Sequence, residues 1–410
     1  MKAISFLGTG KYETVTYTYG GQEHTTRFFP DALYHFFPNI QTLYLFVTDT
    51  VQKHSNFQEI KALIPSPPLE PVPIPEGHSE EDLWEIFRIL TDRVSEGDEV
   101  VLDITHSFRS LPFLTFLAAA YLRTARGVQV RAVVYGAYEA RPVEGGPAPV
   151  FDLTPFVYLL DWLAAANEFI YTGNARSLAC LLAREGQNRC ANRLKKAGKT
   201  LGEFSRAMML CRPREVMEKA GNLERVLRDA GADMAQWARP FEVMAGRIAQ
   251  EYGRYTLPDP TAPENVAESL RRQLDLIRWY LEHDQVIQGV TLAREWLVTA
   301  IGWRHKGAFL LSLREREEIE KGVNGIAKLH QNEISEEQLN DVGKWLRGQK
   351  EQDQVRKVWD HLSGARNDLD HAGMNEGPMA AARLHRKAQK KILPQLEKLA
   401  QAWELLGGNP

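Results

Sequence analysis

Val100-Val101-Leu102-Asp103-Ile104-Thr105-His106-Ser107-Phe108-Arg109-Ser110-Leu111-Pro112 passes from an apolar run, through a polar turn, into a helical pattern. The first five residues have the make-up of a strand buried on both faces. Residues 111–123 then read as a helix and residues 128–135 as a further strand. Upstream, residues 80–94 carry Leu83, Ile86, Phe87 and Leu90 at three- and four-residue spacing, the period of a helix with one apolar side. Strand, helix and strand in alternation predict parallel strands joined by crossover helices, an α/β doubly wound sheet.

Working outward, residues 3–8 read as a buried first strand and residues 43–47 as another, ending in Thr48-Asp49-Thr50. Residues 14–19 and 25–29 alternate around Gly20-Gly21, which predicts a hairpin. Residues 65–75 are rich in proline and read as an extended surface connection. Beyond Pro155 the pattern turns almost wholly helical, with a break at Leu257-Pro258-Asp259-Pro260-Thr261-Ala262-Pro263. The expected division is an α/β domain over 1–155, a helical connector over 156–260 and a helical bundle over 261–410. That bundle is predicted to hold helices at 264–283, 285–303, 336–362 and 378–406.

Composition narrows the functional classes. The chain has 410 residues, 44% hydrophobic and 25% charged, as in globular proteins. No apolar run approaches the roughly 20 residues that cross a bilayer. The first seven residues are too short an apolar run for a secretory signal, so cytoplasmic residence is expected. A formal net charge of −3 gives no general attraction for nucleic acid, and any such contact requires a local cluster of Arg and Lys. Cys180, Cys190 and Cys211 fit neither a disulfide framework nor paired zinc ligands and are expected as reduced thiols in or near a helical core. None of the 11 histidines forms an H-E-x-x-H pair, so no protein-bound metal is expected.

In an open α/β sheet, ligands bind at the carboxyl ends of the strands. Gly8-Thr9-Gly10-Lys11-Tyr12 follows the first strand. Its glycines allow close approach to a phosphate, with Lys11 as counter-charge, and it reads equally well as a plain tight turn. The turn after Asp103 offers Thr105, His106, Ser107 and Arg109 to one crevice, with helix N–H groups behind them. The competing reading has Thr105 and Ser107 capping the helix and Arg109 paired with a surface carboxylate. Thr48 supplies a hydroxyl from the loop between them.

Near the other end stands Gly364-Ala365-Arg366-Asn367-Asp368-Leu369-Asp370-His371-Ala372-Gly373. His371 suits proton transfer near neutral pH. Arg366 is permanently charged and forked to match phosphate oxygens, and Asn367 can orient either. Spacing alone does not decide for catalysis, since R-x-x-x-x-H recurs by chance and other Arg/His pairs exist, Arg383 with His385 among them. A site at the end of a helix, with the amphipathic stretch 285–297 behind it, favours it.

The G-T-G-K-Y turn and the D-I-T-H-S-F-R-S-L-P turn together resemble the CARF domain of CRISPR-associated proteins. That resemblance implies a Rossmann-like sensor binding a cyclic oligoadenylate in a cleft formed by two copies. Gly8, Thr9, Gly10, Lys11, Thr48, Thr105, His106, Ser107 and Arg109 would then be ligand-binding. The helix followed by R-N-D-L-D-H resembles the HEPN ribonuclease domain, a helical bundle whose R-x(4–6)-H motif forms a composite site in a dimer. The whole chain resembles the CARF–HEPN ribonucleases of type III CRISPR systems. The likeness implies Arg366, Asn367 and His371 as catalytic, a single-stranded RNA substrate and a homodimer that can assemble further. It implies no cofactor beyond the cyclic oligoadenylate activator, expected as tetra-adenylate, and no membrane. Two other readings stay open: a CARF-type regulator that binds DNA or a partner without cutting RNA, and a front domain that also degrades its activator.

Overall fold

The computed structural model describes residues 1–64, 68–106, 110–142, 145–374 and 376–405. By internal contacts they divide into two compact units, Met1–Asp161 and Trp162–Pro410.

The first unit is built on one eight-stranded sheet. Its strands are β1 (Lys2–Phe6), β2 (Val15–Tyr19), β3 (Gln22–Thr26), β4 (Thr42–Val47), β5 (Leu69–Pro73), β6 (Glu99–Asp103), β7 (Gln129–Gly136) and β8 (Ala148–Asp152). They lie in the order β3-β2-β8-β7-β6-β1-β4-β5. From β5 through β7 all neighbours are parallel. Counted along the chain, these five strands stand in the order 3-2-1-4-5 of a doubly wound Rossmann-like sheet, and the order reverses between β1 and β6. β8 then pairs antiparallel with β7 and parallel with β2, carrying the β2–β3 hairpin as an extension.

Alternating side chains separate the two faces of the sheet, as the period of two requires. Ala3, Leu43, Leu45 and Val101 face Leu33, Val51, Phe57 and Ile60 on one side. Ile4, Phe46, Val100 and Leu102 face Ile86, Leu90, Ala118 and Leu122 on the other. The helices on the second face, Glu80–Asp92 and Leu111–Arg126, are those the sequence periodicity predicts. On the first face, Phe29–Phe36 and Ser55–Leu63 were not foreseen, and the residues read as the end of the hairpin begin a helix at Phe29 instead. The hairpin turn itself sits at Gly20 and Gly21, whose φ values of 57° and 81° are the left-handed pair this turn needs.

The proline-rich stretch also departs from expectation. Residues 69–73 form an edge strand rather than a connection, which prolines tolerate because an edge leaves one side of the backbone unpaired. Thr48-Asp49-Thr50 is not an open loop either. Thr48 caps a one-turn helix, Asp49–Gln52, by accepting from the Val51 N–H at 3.3 Å.

The second unit is helical and encloses one continuous apolar core, with Phe169, Phe204, Trp279, Trp296 and Trp359 among its large buried side chains. The expected helix over 336–362 is divided into Asp341–Arg347 and Gln352–Asp370, the first ending at Gly348. Leu313–His330 is an additional helix. The last expected helix carries a π-turn, Ala388–Ile392, between Ala381–Lys387 and Leu393–Ala402. No helix among the described residues is long and apolar enough to cross a membrane. Cys180 and Cys190 are exposed rather than in a core, Cys211 is half-buried, and all three are free thiols.

Candidate functional site

A cavity of about 320 Å³ opens at the carboxyl ends of β1, β6 and β7, at the point where strand order reverses. Lys11, Tyr12, Arg27, Thr105, His106 and Gly136 contribute to its wall. Of the residues singled out in the sequence, the structure therefore brings Lys11, Thr105 and His106 together. Thr9 and Thr48 instead border a second cavity of about 380 Å³, beside Thr50 and Glu76. Thr48 is 1% exposed, and its hydroxyl serves the cap and hydrogen-bonds Glu76. Ser107 and Arg109 lie outside the described residues.

Asp103, at the end of β6, organises the first cavity from beneath. Its side chain is fully buried and accepts from the Ser5 hydroxyl and from the Thr105 N–H, the latter at 2.7 Å. Burial raises its pKa to about 6, against the lowering effect of these bonds. Thr105 Oγ1 in turn accepts from the Gly136 N–H at 2.9 Å, tying β6 to β7. Gly136 itself has no room for a larger residue, because a Cβ there would lie 2.5 Å from the Phe29 ring and 2.8 Å from that of Tyr17.

His106 Nε2 accepts from the Phe29 N–H at 3.1 Å. An imidazolium would place a proton where that donor already points, so the ring is neutral with its proton on Nδ1. Burial acts in the same direction and lowers the pKa to about 4, although the ring edge keeps partial exposure. His106 thus offers a hydrogen bond and a flat ring, not a charge. Tyr12 lies against that ring at 4.0 Å between centroids, and the Gly8 N–H donates to its hydroxyl at 3.0 Å.

Sequence reading missed Asn56. From a fully buried position its Nδ2 donates to the carbonyls of Gly8 at 3.1 Å and Gly10 at 3.0 Å, holding the glycine turn in shape. No local signal marks it, since the partners lie more than 40 positions away. The wall charges are mixed: Lys11 and Arg27 against Glu13 and Glu139. Arg27 is occupied by Glu59 and by the Tyr12 carbonyl. Lys11 is exposed and has no carboxylate within 4.0 Å among the described residues, which leaves it available to an anion.

In the second unit, Arg366 and Asn367 lie on the closing turns of Gln352–Asp370, and His371 caps it. The His371 N–H donates to the Asn367 carbonyl at 3.2 Å. Ala372 and Gly373 follow at φ 51° and 70°, a left-handed reversal that ends the helix and leaves His371 exposed. For Ala372 that conformation is strained. Asp368 is buried and accepts from the Met379 N–H at 3.1 Å, fastening the returning chain beside this end. Arg366 pairs with Asp370 at 2.9 Å, both half-exposed.

Arg294 has a structural role here. Only 11% of its side chain is exposed, it reaches Glu295 and Glu320, and it lies 5.1 Å above the Trp359 ring. A cavity of about 410 Å³ in this unit, bordered by Cys211, Arg212, Gln273 and Arg316, contains none of Arg366, Asn367 and His371. Among the described residues no group of three His, Cys, Asp or Glu side chains is arranged to hold a metal ion.

The fold and its cavity define a Rossmann-like domain with its site at the strand-order switch, followed by a helical unit. Comparison with known proteins makes this more specific. Residues 75–139 match the CARF domain of the CRISPR system endoribonuclease Csx1. Residues 158–258 match the second domain of the CRISPR-associated protein MJ1674. The MJ1674 protein of Methanocaldococcus jannaschii is 34% identical over 123 residues, 29% of this chain and 19% of that protein. The match therefore spans about a fifth of that relative's length. A solved structure, Enterococcus italicus Csm6 bound to cyclic hexa-2'-fluoro-hexa-dAMP, aligns with 100% of this chain and 96% of its own. The TM-score is 0.47 at 9% identity. By these two family matches, the chain is similar to CARF-containing, CRISPR-associated proteins over residues 75–139 and 158–258.

Proposed function

We propose that this protein is an endoribonuclease switched on by a cyclic oligoadenylate, with the cavity at the end of β1 and β6 as sensor and the end of Gln352–Asp370 as the cutting site. The observation that carries the reading is the exposure of Arg366, Asn367 and His371 together at one helix terminus, in a chain whose other unit is a CARF domain. The proposed domains are a CARF sensor over 1–155, a connector over 156–260 and a HEPN-like nuclease over 261–410.

The reaction requires no metal in this proposal. A base takes the proton of a ribose 2′-hydroxyl, the 2′-oxygen bonds to the adjacent phosphorus, the bond from phosphorus to the 5′-oxygen breaks, and an acid supplies a proton to that oxygen. The products are a 2′,3′-cyclic phosphate and a 5′-hydroxyl. His371 performs one proton transfer and the same residue of a second copy performs the other, in a homodimer. Arg366 carries the charge gathered on the phosphate. Its pair with Asp370 is no obstacle, because an exposed pair at this spacing is worth only about 0.3–0.5 kcal/mol.

In the sensor, the Lys11 ammonium meets a phosphate, and the His106 Nδ1–H and the neighbouring ring surfaces meet the base or ribose. Four-membered cyclic adenylate is the proposed activator. The test is cleavage of a single-stranded RNA by the purified chain, with and without cyclic tetra- and hexa-adenylate, in EDTA. Activator-dependent cleavage that leaves cyclic phosphate ends is expected, and no cleavage under any of these conditions refutes the proposal.

A further inference from the structure

The chain is net acidic, yet one stretch is strongly basic: Arg383, Arg386, Lys387, Lys390 and Lys391 fall within nine residues. Several cations elsewhere in the second unit are neutralised. Arg278, Arg294, Arg316, Arg347 and Arg356 each sit within 4.0 Å of a carboxylate. None of the five cations between 383 and 391 has such a partner among the described residues, and only the neighbouring His385 does, in Asp284.

Their placement is ordered. Arg383, Lys387 and Lys391 follow at four-residue intervals through Ala381–Lys387 and into the π-turn, so they line one ridge. The middle member is fixed by packing: Lys387 is half-buried, and its Nζ lies 3.4 Å from where a Cβ on Gly364 would stand. On Gln352–Asp370 Gly364 shares a face with Asp368 and with His371, four and seven residues on, while Arg366 stands about 200° round the helix. The ridge therefore passes the same helix end that carries Arg366, Asn367 and His371.

Partial burial, and then the like charges of Lys391 and Arg383, hold the Lys387 ammonium below the usual lysine range; the Asp368 carboxylate opposes this weakly. Concentrated, unneutralised charge of this kind is relieved by an anion with several negative groups in sequence.

We infer that Arg383, Lys387 and Lys391 form the track for the RNA backbone at this site, with Lys387 holding a phosphate next to the linkage that His371 serves. The inference rests on the nuclease reading for the identity of the strand. It adds a substrate-positioning role for three residues outside the R-x-x-x-x-H motif. The spacing suits a flexible single strand, whose phosphates adjust to a row of cations without base readout.

The test measures binding of a fluorescent single-stranded RNA across a salt series, using the full chain. Each phosphate released from a cation lowers the slope of log affinity against log salt by about 0.7. Lys387→Gln is expected to lower it by about that amount and to raise KM with a smaller effect on kcat. Lys387→Arg is expected to restore both. The triple change of Arg383, Lys387 and Lys391 to Gln is expected to lower the slope by about two, with thermal unfolding unchanged. A slope unaltered in the triple variant overturns the inference and leaves the nuclease reading standing. A Lys387-dependent slope in a chain that still cuts RNA after His371→Ala preserves the track and refutes the proposed active site. Stronger attachment to phosphatidylserine vesicles than to RNA, lost in the triple variant, also overturns the inference by assigning the ridge to a membrane surface.

Discussion

The two candidate sites hold their chemistry in opposite ways. In the first unit, Asp103, Thr105 and His106 are fixed by buried partners, and the cavity that Thr105 and His106 border exists within a single chain. In the second, Arg366, Asn367 and His371 stand at a helix end and do not border the 410 Å³ cavity of that unit, and among the described residues the only ion pair there is a weak surface one. A binding site profits from groups ordered in advance, because the ordering is then not charged against ligand affinity. A proton-transferring site that stays exposed in one chain gains its enclosure from whatever docks on it. In the proposed reaction that is a second copy and the RNA, which gives a physical basis for keeping the enzyme off until the copies are suitably arranged.

The largest effect expected from breaking this contrast comes from His371→Ala. General acid–base catalysis is worth about 10²–10⁴ in rate, so cleavage should fall by about that factor while calorimetry shows activator affinity intact. Cleavage at the original rate would remove the helix end as the active site. An intermediate effect is expected from Lys11→Ala, which should weaken cyclic adenylate binding about tenfold through loss of one charge-assisted contact of about 1.4 kcal/mol. RNA affinity measured without activator should not change, and equal affinity for the activator would disconnect the cavity from ligand sensing.

The smallest effect concerns pH. Asp103 has a raised folded-state pKa, so the folded chain holds a proton that the unfolded chain has lost, and stability falls as pH rises from about 4 to about 6. His106 has a lowered one, so the unfolded chain binds the extra proton, and stability rises across about 4 to 6.5. The two trends offset each other in the native protein. Urea midpoints followed from pH 4 to 6.5 should show a net decline in His106→Gln, where only the aspartate trend remains, and a steeper rise in Asp103→Asn. Parallel profiles in all three proteins would show that neither group is held as described.

Much of this architecture could be read in the sequence, for identifiable reasons. β1, β4, β6 and β7 are apolar runs buried on both faces, and the helices Glu80–Asp92 and Leu111–Arg126 repeat their apolar positions with helical period. Other parts depend on partners that no local pattern contains. β8, Ala-Pro-Val-Phe-Asp, lacks alternation and becomes a strand only between β7 and β2. Asn56 is one polar residue in the short helix Ser55–Leu63, and its importance comes from two carbonyls far upstream. The sequence likewise placed His106 at the crevice without its protonation state, which the Phe29 N–H decides by making the ring an acceptor. The basic ridge was visible as composition, but the absence of neutralising partners could be recognised only once neighbours were placed.

β5 carries a consequence for how the molecule can associate. The Ile74 N–H reaches inward to the Val47 carbonyl, so by alternation the nitrogens of residues 71 and 73 point outward. Both are prolines and have no hydrogen to donate. A further strand arriving along that margin would find acceptors without matching donors, and the sheet is thereby kept from growing on its β5 side. A contact between chains on this side must use side chains or helices, a form of contact that can be made and released without rebuilding the backbone ladder.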